Sequence, residues 1–206
     1  MTPLCHGDES VESFIDKSLA DARAALEHLS ASRDLKARIA GAASRMAATF
    51  QGGGRVFSCG NGGSMCDAMH FAEEMSGRFR RDRAPLAALS ISDPAHMSCV
   101  ANDFSWEDVF ARFITAHGRK DDVLLAISTS GKSGNVLRAA ETARSQGMSV
   151  IALTGREGSP LAALADIEIP VYGGSAFADR IQELHIKVIH IVIEMVEREL
   201  FPECYR

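Results

Sequence analysis

Apolar residues recur at helical spacing near the start of the chain. They form two groups on either side of Ser30-Ala31-Ser32, and each group predicts an amphipathic helix. The groups are Val11, Phe14, Ile15, Leu19, Ala22, Leu26 and Leu29, and then Leu35, Ile39, Ala43, Met46 and Phe50. The run Gly52-Gly53-Gly54, which has no helix propensity, ends the second helix. We therefore expect residues 1–50 to form an N-terminal helical extension.

Short apolar runs later in the chain predict buried strands, at residues 56–58, 86–91, 123–127, 150–153 and 167–171. Helical patterns lie between them near 64–77, 133–146 and 159–165. Strands that alternate with helices are typical of a parallel α/β sheet. A chain of 206 residues is long enough to bury one substantial core. The sequence thus predicts a single α/β domain, 1–206, with its sheet core and last helix in residues 55–200.

The last helical segment, Ala178 to Leu200, carries apolar residues around nearly its whole circumference, which predicts a helix buried on several sides. A chain of this size can hardly bury it while also docking two N-terminal helices. We therefore infer a helical layer that is shared between subunits. Lys187, His190 and Glu194 lie in the same segment, together with other polar residues, and exclude a bilayer span.

The amino-acid composition limits which binding partners and which cellular compartment are expected for this protein. The formal net charge is -5, and basic residues are dispersed apart from the patch between Arg78 and Arg83, so nucleic acid is not expected as a partner. The five cysteines are scattered and include no C-x-x-C pair, which argues against a disulfide framework and favours a reducing cytosol. Asp8 and Glu9 stand in a start that lacks the features of a secretory signal. We expect a cytoplasmic protein with no membrane segment.

Two loops rich in serine and glycine each follow an apolar run and open a helical pattern. They are Cys59-Gly60-Asn61-Gly62-Gly63-Ser64 and Ser128-Thr129-Ser130-Gly131-Lys132-Ser133. Glycine lets backbone N–H groups approach a phosphate, hydroxyl groups fill the gaps, and the helix that follows adds its unpaired N–H groups and positive dipole end. Because the carboxyl ends of parallel strands lie at one edge of a sheet, both loops are expected there. Together they predict a sugar-phosphate pocket.

Neither loop matches a nucleotide-binding motif. Gly131-Lys132-Ser133 resembles the end of a phosphate-binding loop of nucleotide-binding proteins, but Ala126 stands where that motif requires glycine. The first loop lacks the third glycine of a dinucleotide fingerprint.

Two groups of polar residues could carry chemistry. His70 and Glu74 are spaced i, i+4 on one helix face, as an acid/base pair, a metal-binding pair or a plain surface hydrogen bond. The second group lies on the apolar last helix, where buried polar groups need partners and a structural role is as plausible as a functional one. Its members are Asp179, Gln182, His185 and His190. Asn102-Asp103 is either a turn or a pair that orients substrate hydroxyls.

Five segments together resemble the bacterial phosphoheptose isomerases: residues 59–64, 66–74, 102–104, 128–131 and 178–190. The resemblance runs from about residue 10 to the end of the chain, in the family's order. It implies a sugar-isomerase (SIS) domain with a flavodoxin-like parallel sheet flanked by helices. It also implies a homotetramer with active sites at subunit contacts.

The resemblance further implies the reaction. Sedoheptulose 7-phosphate would be converted to D-glycero-D-manno-heptose 7-phosphate through an enediol, the first step toward the ADP-heptose of lipopolysaccharide cores. Glu74 would be the base and His190 the acid. The implied substrate-binding residues are Asn61, Gly62, Gly63, Ser64, Glu74, Arg78, Asn102, Asp103, Ser128, Thr129, Ser130, Ser133, Asp179 and Gln182.

Zinc is implied through His70, Glu74, Gln182 and His190, whose donor types suit this metal. Gln182 and His190 are eight residues apart, about 12 Å along an ideal helix, so a shared ion needs long side chains, helix irregularity or ligands from different subunits. Since Glu74 cannot easily be both a tight ligand and a free base, we interpret the metal as modulating.

Three features depart from the family pattern: Met65, Lys132 and a longer loop at 172–177. Two alternatives stay open at this point. One is a non-catalytic SIS protein of the type that associates with a DnaA initiator, and the other is an isomerase of another ketose phosphate.

Overall fold

A computed structural model describes residues 10–174 and 177–206. Cys5, Asp8 and Glu9, and two positions of the 172–177 loop, lie outside the described residues. The α-helices and strands, in chain order, are α1 (Val11–Ala31), α2 (Arg33–Gln51), β1 (Val56–Cys59), α3 (Gly63–Ser76), β2 (Ala88–Ser90), α4 (Pro94–Asp103), α5 (Val109–His117), β3 (Val123–Ser128), α6 (Gly134–Ser145), β4 (Ser149–Thr154), β5 (Ile167–Pro170) and α7 (Ala178–Leu200). Short 3₁₀ turns cover Trp106–Asp108, Ala162–Leu164 and Pro202–Tyr205.

Both predicted N-terminal helices are present, and their ends follow from capping chemistry. The Ser10 hydroxyl accepts a hydrogen bond from the Ser13 N–H at 3.2 Å and starts α1. Ser32 ends α1 and also starts α2, because its hydroxyl accepts from the Leu35 N–H at 3.2 Å. The glycine run ends α2 as predicted, and Gly53 has a φ of 76°, in the left-handed region that favours glycine.

The five strands form one parallel sheet in the order β2-β1-β3-β4-β5, which confirms the predicted α/β class. Strands β1, β3 and β4 are buried along their whole length, as expected for a sheet covered on both faces. One apolar cluster joins the sheet to α2, α3 and α7. The other joins its opposite face to α4, α5 and α6.

The structure corrects the sequence prediction in three places. The helix predicted at 159–165 is wrong: this segment holds only the 3₁₀ turn Ala162–Leu164, and Pro160 just before it lacks a backbone donor. Helices α4 and α5 were not predicted, although Asp93 caps α4 through a 2.7 Å bond from the His96 N–H. Strand β2 is only three residues long.

Helix α7 packs on α2 and α3 and buries an apolar face that includes Val188, Val192 and Val196. Ile191 and Met195 stay partly exposed and line an apolar groove with Leu26 and Ile39. The helical layer shared between subunits stays a prediction. None of the helices in the described part of the chain is long and apolar enough to cross a bilayer.

Candidate active site

The two serine/glycine loops lie side by side at the carboxyl edge of the sheet. The first connects β1 to α3 and the second connects β3 to α6, and β1 pairs directly with β3. Gly62 has a φ of 54°, and a Cβ on Gly60 would lie 2.7 Å from the Ser64 carbonyl oxygen. The sharp turn into α3 therefore requires glycine at both positions.

A reciprocal amide pair joins the first loop to the helix that follows the second. Asn61 Nδ2 donates to Asn135 Oδ1 and Asn135 Nδ2 donates to Asn61 Oδ1, each at 2.8 Å. Asn135 is buried at the start of α6. Asn61, predicted to bind substrate, thus uses its side chain to fix the distance between the loops. Sequence analysis missed Asn135 because nothing in its spacing connects it to Asn61.

The second loop is held by its own hydroxyl groups. Ser128 Oγ lies 3.1 Å from Ser133 Oγ and accepts a 3.1 Å bond from the Gly131 N–H. Gly131 has a φ of 63°, and a Cβ there would lie 2.3 Å from Ser159. The Thr129 carbonyl accepts a 3.0 Å bond from the N–H of the residue after β4. These bonds preform a concave turn in which Ser130 is exposed.

The helices that leave the two loops begin without a side-chain cap, as α5 and α7 also do, whereas α1, α2 and α4 are capped. Side chains of Ser10, Ser32 and Asp93 cap α1, α2 and α4. No side chain caps α3 at Gly62 or α6 at Ser133. The first amides of α6 are therefore available to an anion, whereas in α3 the Ser64 and Met65 amides already donate to the Asn61 and Gly62 carbonyls at 3.0 and 2.9 Å. The positive ends of both helix dipoles still lie behind the loops.

Helices α3 and α7 lie side by side and run in the same direction. A Cβ on Gly63 would lie 2.6 Å from Gln182 Oε1, so the starts of the two helices touch where only glycine fits. Two turns further along, His70 and Glu74 of α3 meet His190 of α7. The separation between these two contacts is about 11 Å along the helices.

The Glu74 carboxylate lies between two imidazoles. His70 Nε2 is 3.3 Å from Glu74 Oε1, His190 Nε2 is 3.6 Å from Glu74 Oε2, and the two Nε2 atoms are 3.0 Å apart. The Glu74 side chain is 14% exposed, whereas those of His70 and His190 are 40% and 35% exposed. Two imidazoles that open to solvent thus flank a carboxylate that is mostly buried.

Burial changes the acidity of the carboxyl groups on this part of α3. Desolvation raises the pKa of Glu74 above its ordinary value, although the charges of His70 and His190 oppose the rise. Burial also raises the pKa of Asp67 to about 6, again against the effect of His70. Glu74 Oε2 and Asp67 Oδ2 are buried without a hydrogen-bond partner. A carboxylate left unsatisfied in this way is a stronger base than one in water.

The same three side chains fit a metal ion. Their ligand atoms all lie within 4.8 Å of one another. Ligands at about 2.0–2.1 Å from a tetrahedral zinc are about 3.3 Å apart, close to the 3.0–3.6 Å separations between His70, Glu74 and His190. The unpartnered Glu74 Oε2 gives such an ion a free acceptor. The side-chain amide of the fourth predicted ligand, Gln182, lies against Gly63 at the start of α3, and its role as a ligand stays a prediction.

Several of the predicted substrate-binding residues are exposed in the structure. Asn102 and Asp103 are exposed at the end of α4, where the Asn102 amide donates to Asp103 at 2.8 Å. Arg78 is exposed beyond the end of α3. Asp179 is exposed in the first turn of α7 and accepts a 2.8 Å bond from the Arg180 N–H.

The polar group on α7 divides into two kinds of residue. His185 is completely buried, and its Nε2 donates to the Thr154 carbonyl at 3.2 Å. Burial lowers the pKa of His185 to about 4, so the ring is neutral at physiological pH. His185 therefore has a structural role, and His190 is the histidine of α7 that faces the carboxylate.

A parallel sheet with two anion-ready loops at its carboxyl edge, beside a carboxylate between imidazoles, defines the class of SIS-domain proteins. The family model described as SIS domain matches residues 19–155. The phosphoheptose isomerase of Aeromonas salmonicida is 52% identical over 92% of this chain and 98% of that protein. That of Vibrio vulnificus is 55% identical over 80% of this chain and 85% of its own length. The chain therefore belongs to the phosphoheptose isomerase family.

Solved structures agree with this assignment. A phosphoheptose isomerase from Francisella tularensis superposes with a TM-score of 0.86 at 34% identity, over 92% of this chain and all of that one. Phosphoheptose isomerase GmhA from Neisseria gonorrhoeae gives a TM-score of 0.82 at 34% identity, over 91% of this chain and 99% of the other. The resemblance inferred from the sequence is confirmed.

Proposed function

We propose that this chain is an aldose–ketose isomerase that converts sedoheptulose 7-phosphate to D-glycero-D-manno-heptose 7-phosphate. The observation that carries the proposal is the buried Glu74 carboxylate between His70 and His190, beside two loops prepared for an anion. The names of the relatives support a phosphorylated heptose as the substrate class.

The isomerisation needs one base and one acid. Glu74 takes a proton from C1 of the ketose, the electron pair of that C–H bond forms the C1–C2 double bond, and His190 gives a proton to O2. The product of this step is an enediol. Glu74 then returns its proton to C2 while the imidazole takes the proton of O1, which leaves an aldehyde at C1. The raised pKa of Glu74 favours the first transfer.

The phosphate of the substrate would bind about two helical turns from this acid and base. The hydroxyl groups of Ser128, Thr129, Ser130 and Ser133 and the uncapped amides at the start of α6 would be the donors. Gln182 lies against Gly63 at the start of α3 and would orient the sugar from there. The reacting carbons and the phosphate of a heptose 7-phosphate are at opposite ends of its carbon chain, which suits this separation.

We propose zinc as a modulating ion held by His70, Glu74 and His190. A bound zinc would polarise the carbonyl oxygen of the substrate and favour charge on that oxygen. Both imidazoles contact the Glu74 carboxylate, at 3.3 and 3.6 Å.

We further propose a homotetramer whose active sites are completed by neighbouring subunits. His70 forms part of the wall of a cavity of about 670 Å³ that runs along α3 beside β2, and no loop residue from 128–133 lines it. A second copy on this face would cover the cluster and could supply Asn102 and Asp103. We also propose a cytoplasmic location and a role ahead of lipopolysaccharide assembly, on the strength of the similarity to phosphoheptose isomerases.

The test is isomerisation in deuterium oxide. Purified protein is incubated with sedoheptulose 7-phosphate, and NMR follows both the aldose and deuterium at C1 and C2, in parallel with fructose 6-phosphate. We expect the heptose to react with deuterium incorporation and the hexose to react at least tenfold more slowly, as a rough expectation from the lost contacts of one hydroxymethylene unit. No product and no exchange with the heptose would contradict the proposal, and faster reaction of the hexose would favour another ketose phosphate.

The metal is tested in the same assay. Protein treated with a chelator should keep measurable turnover, and added zinc should change it, if the ion modulates the reaction. Complete and zinc-reversible loss of turnover would show that zinc is essential and would contradict a modulating role.

The variant Ser130→Ala should raise KM with little change in kcat, because its hydroxyl would contact only the phosphate.

A further inference from the structure

One arginine beyond the end of α3 has an almost completely buried side chain and donates hydrogen bonds from all three of its nitrogens. The Arg83 side chain is 1% exposed. Its Nη2 donates to the Glu74 carbonyl at 2.8 Å, and its Nη1 donates to the Met75 carbonyl at 2.7 Å and, more weakly, to those of Gly77 and Ala84 at 3.3 Å. Its Nε donates to Glu197 Oε1 at 2.8 Å.

These bonds join the two helices that carry the acid and the base. The carbonyls of Glu74 and Met75 are in the last turn of α3, where helix carbonyls have no partner within the helix. Glu197 lies on α7, two turns after His190 and on the same side of the helix. One guanidinium group therefore touches the backbone of Glu74 itself and the α7 face that presents His190.

The carboxylate that receives Arg83 is also completely bonded. Glu197 is 1% exposed, and its second oxygen accepts a 2.7 Å bond from the Tyr205 hydroxyl group. Arg83 also lies 5.9 Å from the ring centre of Phe201, beyond the end of α7. The pair is thus enclosed by the last residues of the chain, which fold back over it.

A buried ion pair is a poor source of stability, because desolvation of both charges offsets most of their attraction. Its best-attested role is to fix the register of the elements that it joins. We propose that Arg83 is a positioning residue for the isomerisation: by tying the end of α3 to Glu197, it sets the separation between Glu74 and His190. This inference rests on the proposed function, since it names what holds the acid and base of that reaction together.

The variant Arg83→Lys tests the geometry of the guanidinium group and leaves the positive charge in place. Lysine keeps the positive charge but carries its three donors on one nitrogen, so it cannot reproduce the planar group that reaches the Glu74 carbonyl, the Met75 carbonyl and Glu197 from three separate nitrogens. A displacement of about 1 Å between reacting groups can reduce a rate on the order of 100-fold. We therefore expect kcat of Arg83→Lys to fall on the order of 100-fold with KM changed less than about threefold, because the phosphate loops are not touched.

The control separates positioning from a general loss of stability. Val150 is buried on β4 in the core on the opposite face of the sheet, so Val150→Ala lowers the melting temperature without touching α3 or α7. At a comparable fall in melting temperature, kcat of Val150→Ala should stay within about threefold of wild type. Equal losses of kcat in the two variants, or unchanged kcat in folded Arg83→Lys, would overturn the proposal.

A second measurement does not depend on activity. Crystal structures of wild type and Arg83→Lys should show the distance between His190 Nε2 and Glu74 Oε2 increased in the variant, and an unchanged distance would overturn the inference even if the substrate assignment were wrong. If Arg83→Lys does not fold, Glu197→Gln and Tyr205→Phe take its place. They should lower kcat in that order, since the first weakens the contact with Arg83 and the second removes only the outer bond of Glu197.

Discussion

Two buried carboxylates on the contact between α3 and α7 have opposite surroundings. Glu197 has one oxygen bonded to Arg83 and the other to Tyr205. Glu74, two turns away on the neighbouring helix, has a buried oxygen without a hydrogen-bond partner. The satisfied carboxylate holds structure, and the unsatisfied one can accept a proton or a metal ion. The two carboxylates differ mainly in their hydrogen bonds, and Glu74 is also the more exposed, at 14% against 1% for Glu197.

The largest effect should follow from removing the base. Glu74→Gln keeps the shape of the side chain and removes its basic oxygen, so we expect kcat to fall about 10³-fold with the fold intact. Glu73→Gln is the matched control: it is the same change one residue earlier, on a side chain that is 63% exposed. Turnover assays with far-UV circular dichroism check both. Substantial activity in Glu74→Gln would break the comparison, because Glu74 would then be one more structural carboxylate.

The opposite change should affect stability. Glu197→Ala leaves the guanidinium of Arg83 buried without its partner, so the free energy of unfolding should fall by about 3–5 kcal/mol. Glu74→Gln should change it by less than about 1 kcal/mol, since no strong bond is lost. Urea denaturation at one fixed protein concentration measures both, because an assembly would make the midpoint depend on concentration. An equal fall in the free energy of unfolding in Glu197→Ala and Glu74→Gln would show that the two carboxylates do not differ in their structural role.

A histidine on the same helix gives a test by pH. Burial lowers the pKa of His185 to about 4, whereas an unfolded histidine titrates near 6.5. Between these values the unfolded chain binds a proton that the folded chain does not. Stability should therefore fall as the pH falls from about 6.5 to 4, by up to about 3 kcal/mol from this residue.

Urea unfolding of wild type and His185→Gln across this range measures that contribution. The glutamine keeps a donor for the Thr154 carbonyl and has no titrating proton, so the slope of stability against pH should flatten. His117→Gln, at an exposed position, is the control and should leave the slope unchanged. A wild-type slope in His185→Gln would show that other groups carry the acid sensitivity.

The smallest effect should come from Asp67, which lies near the start of α3 and has, like Glu74, a buried carboxylate oxygen without a hydrogen-bond partner. Burial raises the pKa of Asp67 to about 6, above its unfolded value, so the folded chain binds a proton preferentially between about pH 4 and 6. At pH 8 the buried carboxylate is charged and lowers the free energy of unfolding, so Asp67→Asn should raise that free energy by about 1–2 kcal/mol. The gain should disappear at pH 4. A loss of stability at pH 8 would show that Asp67 is satisfied after all.

Local patterns were sufficient to predict much of the fold. The spacing of apolar residues gave α1 and α2, and short apolar runs gave five strands that the structure arranges in parallel. Helices α4 and α5 were missed although signals existed, namely the cap at Asp93-Pro94 and apolar pairs such as Val109 and Phe113. The segment 159–165 shows the opposite error, since a few apolar residues beside a proline do not make a helix.

The site was predictable only where its residues are close in sequence. The spacing of His70 and Glu74 and the composition of the two loops could be recognised, and the resemblance connected them with His190. The pairs Asn61–Asn135 and Arg83–Glu197 could not be recognised, because each joins positions that only the folded sheet brings together. Local sequence preferences also do not predict that Glu197 forms hydrogen bonds with both oxygens while Glu74 leaves one oxygen without a hydrogen-bond partner.

The amide pair between Asn61 and Asn135 has a consequence for binding measurements. Neither side chain carries a net charge or a titrating proton, so the gap that the pair maintains between the loops is insensitive to ionic strength and acidity. If substrate affinity depends on salt concentration, the cause would then be screening of the charge on the substrate phosphate, and not a change in the distance between the two loops.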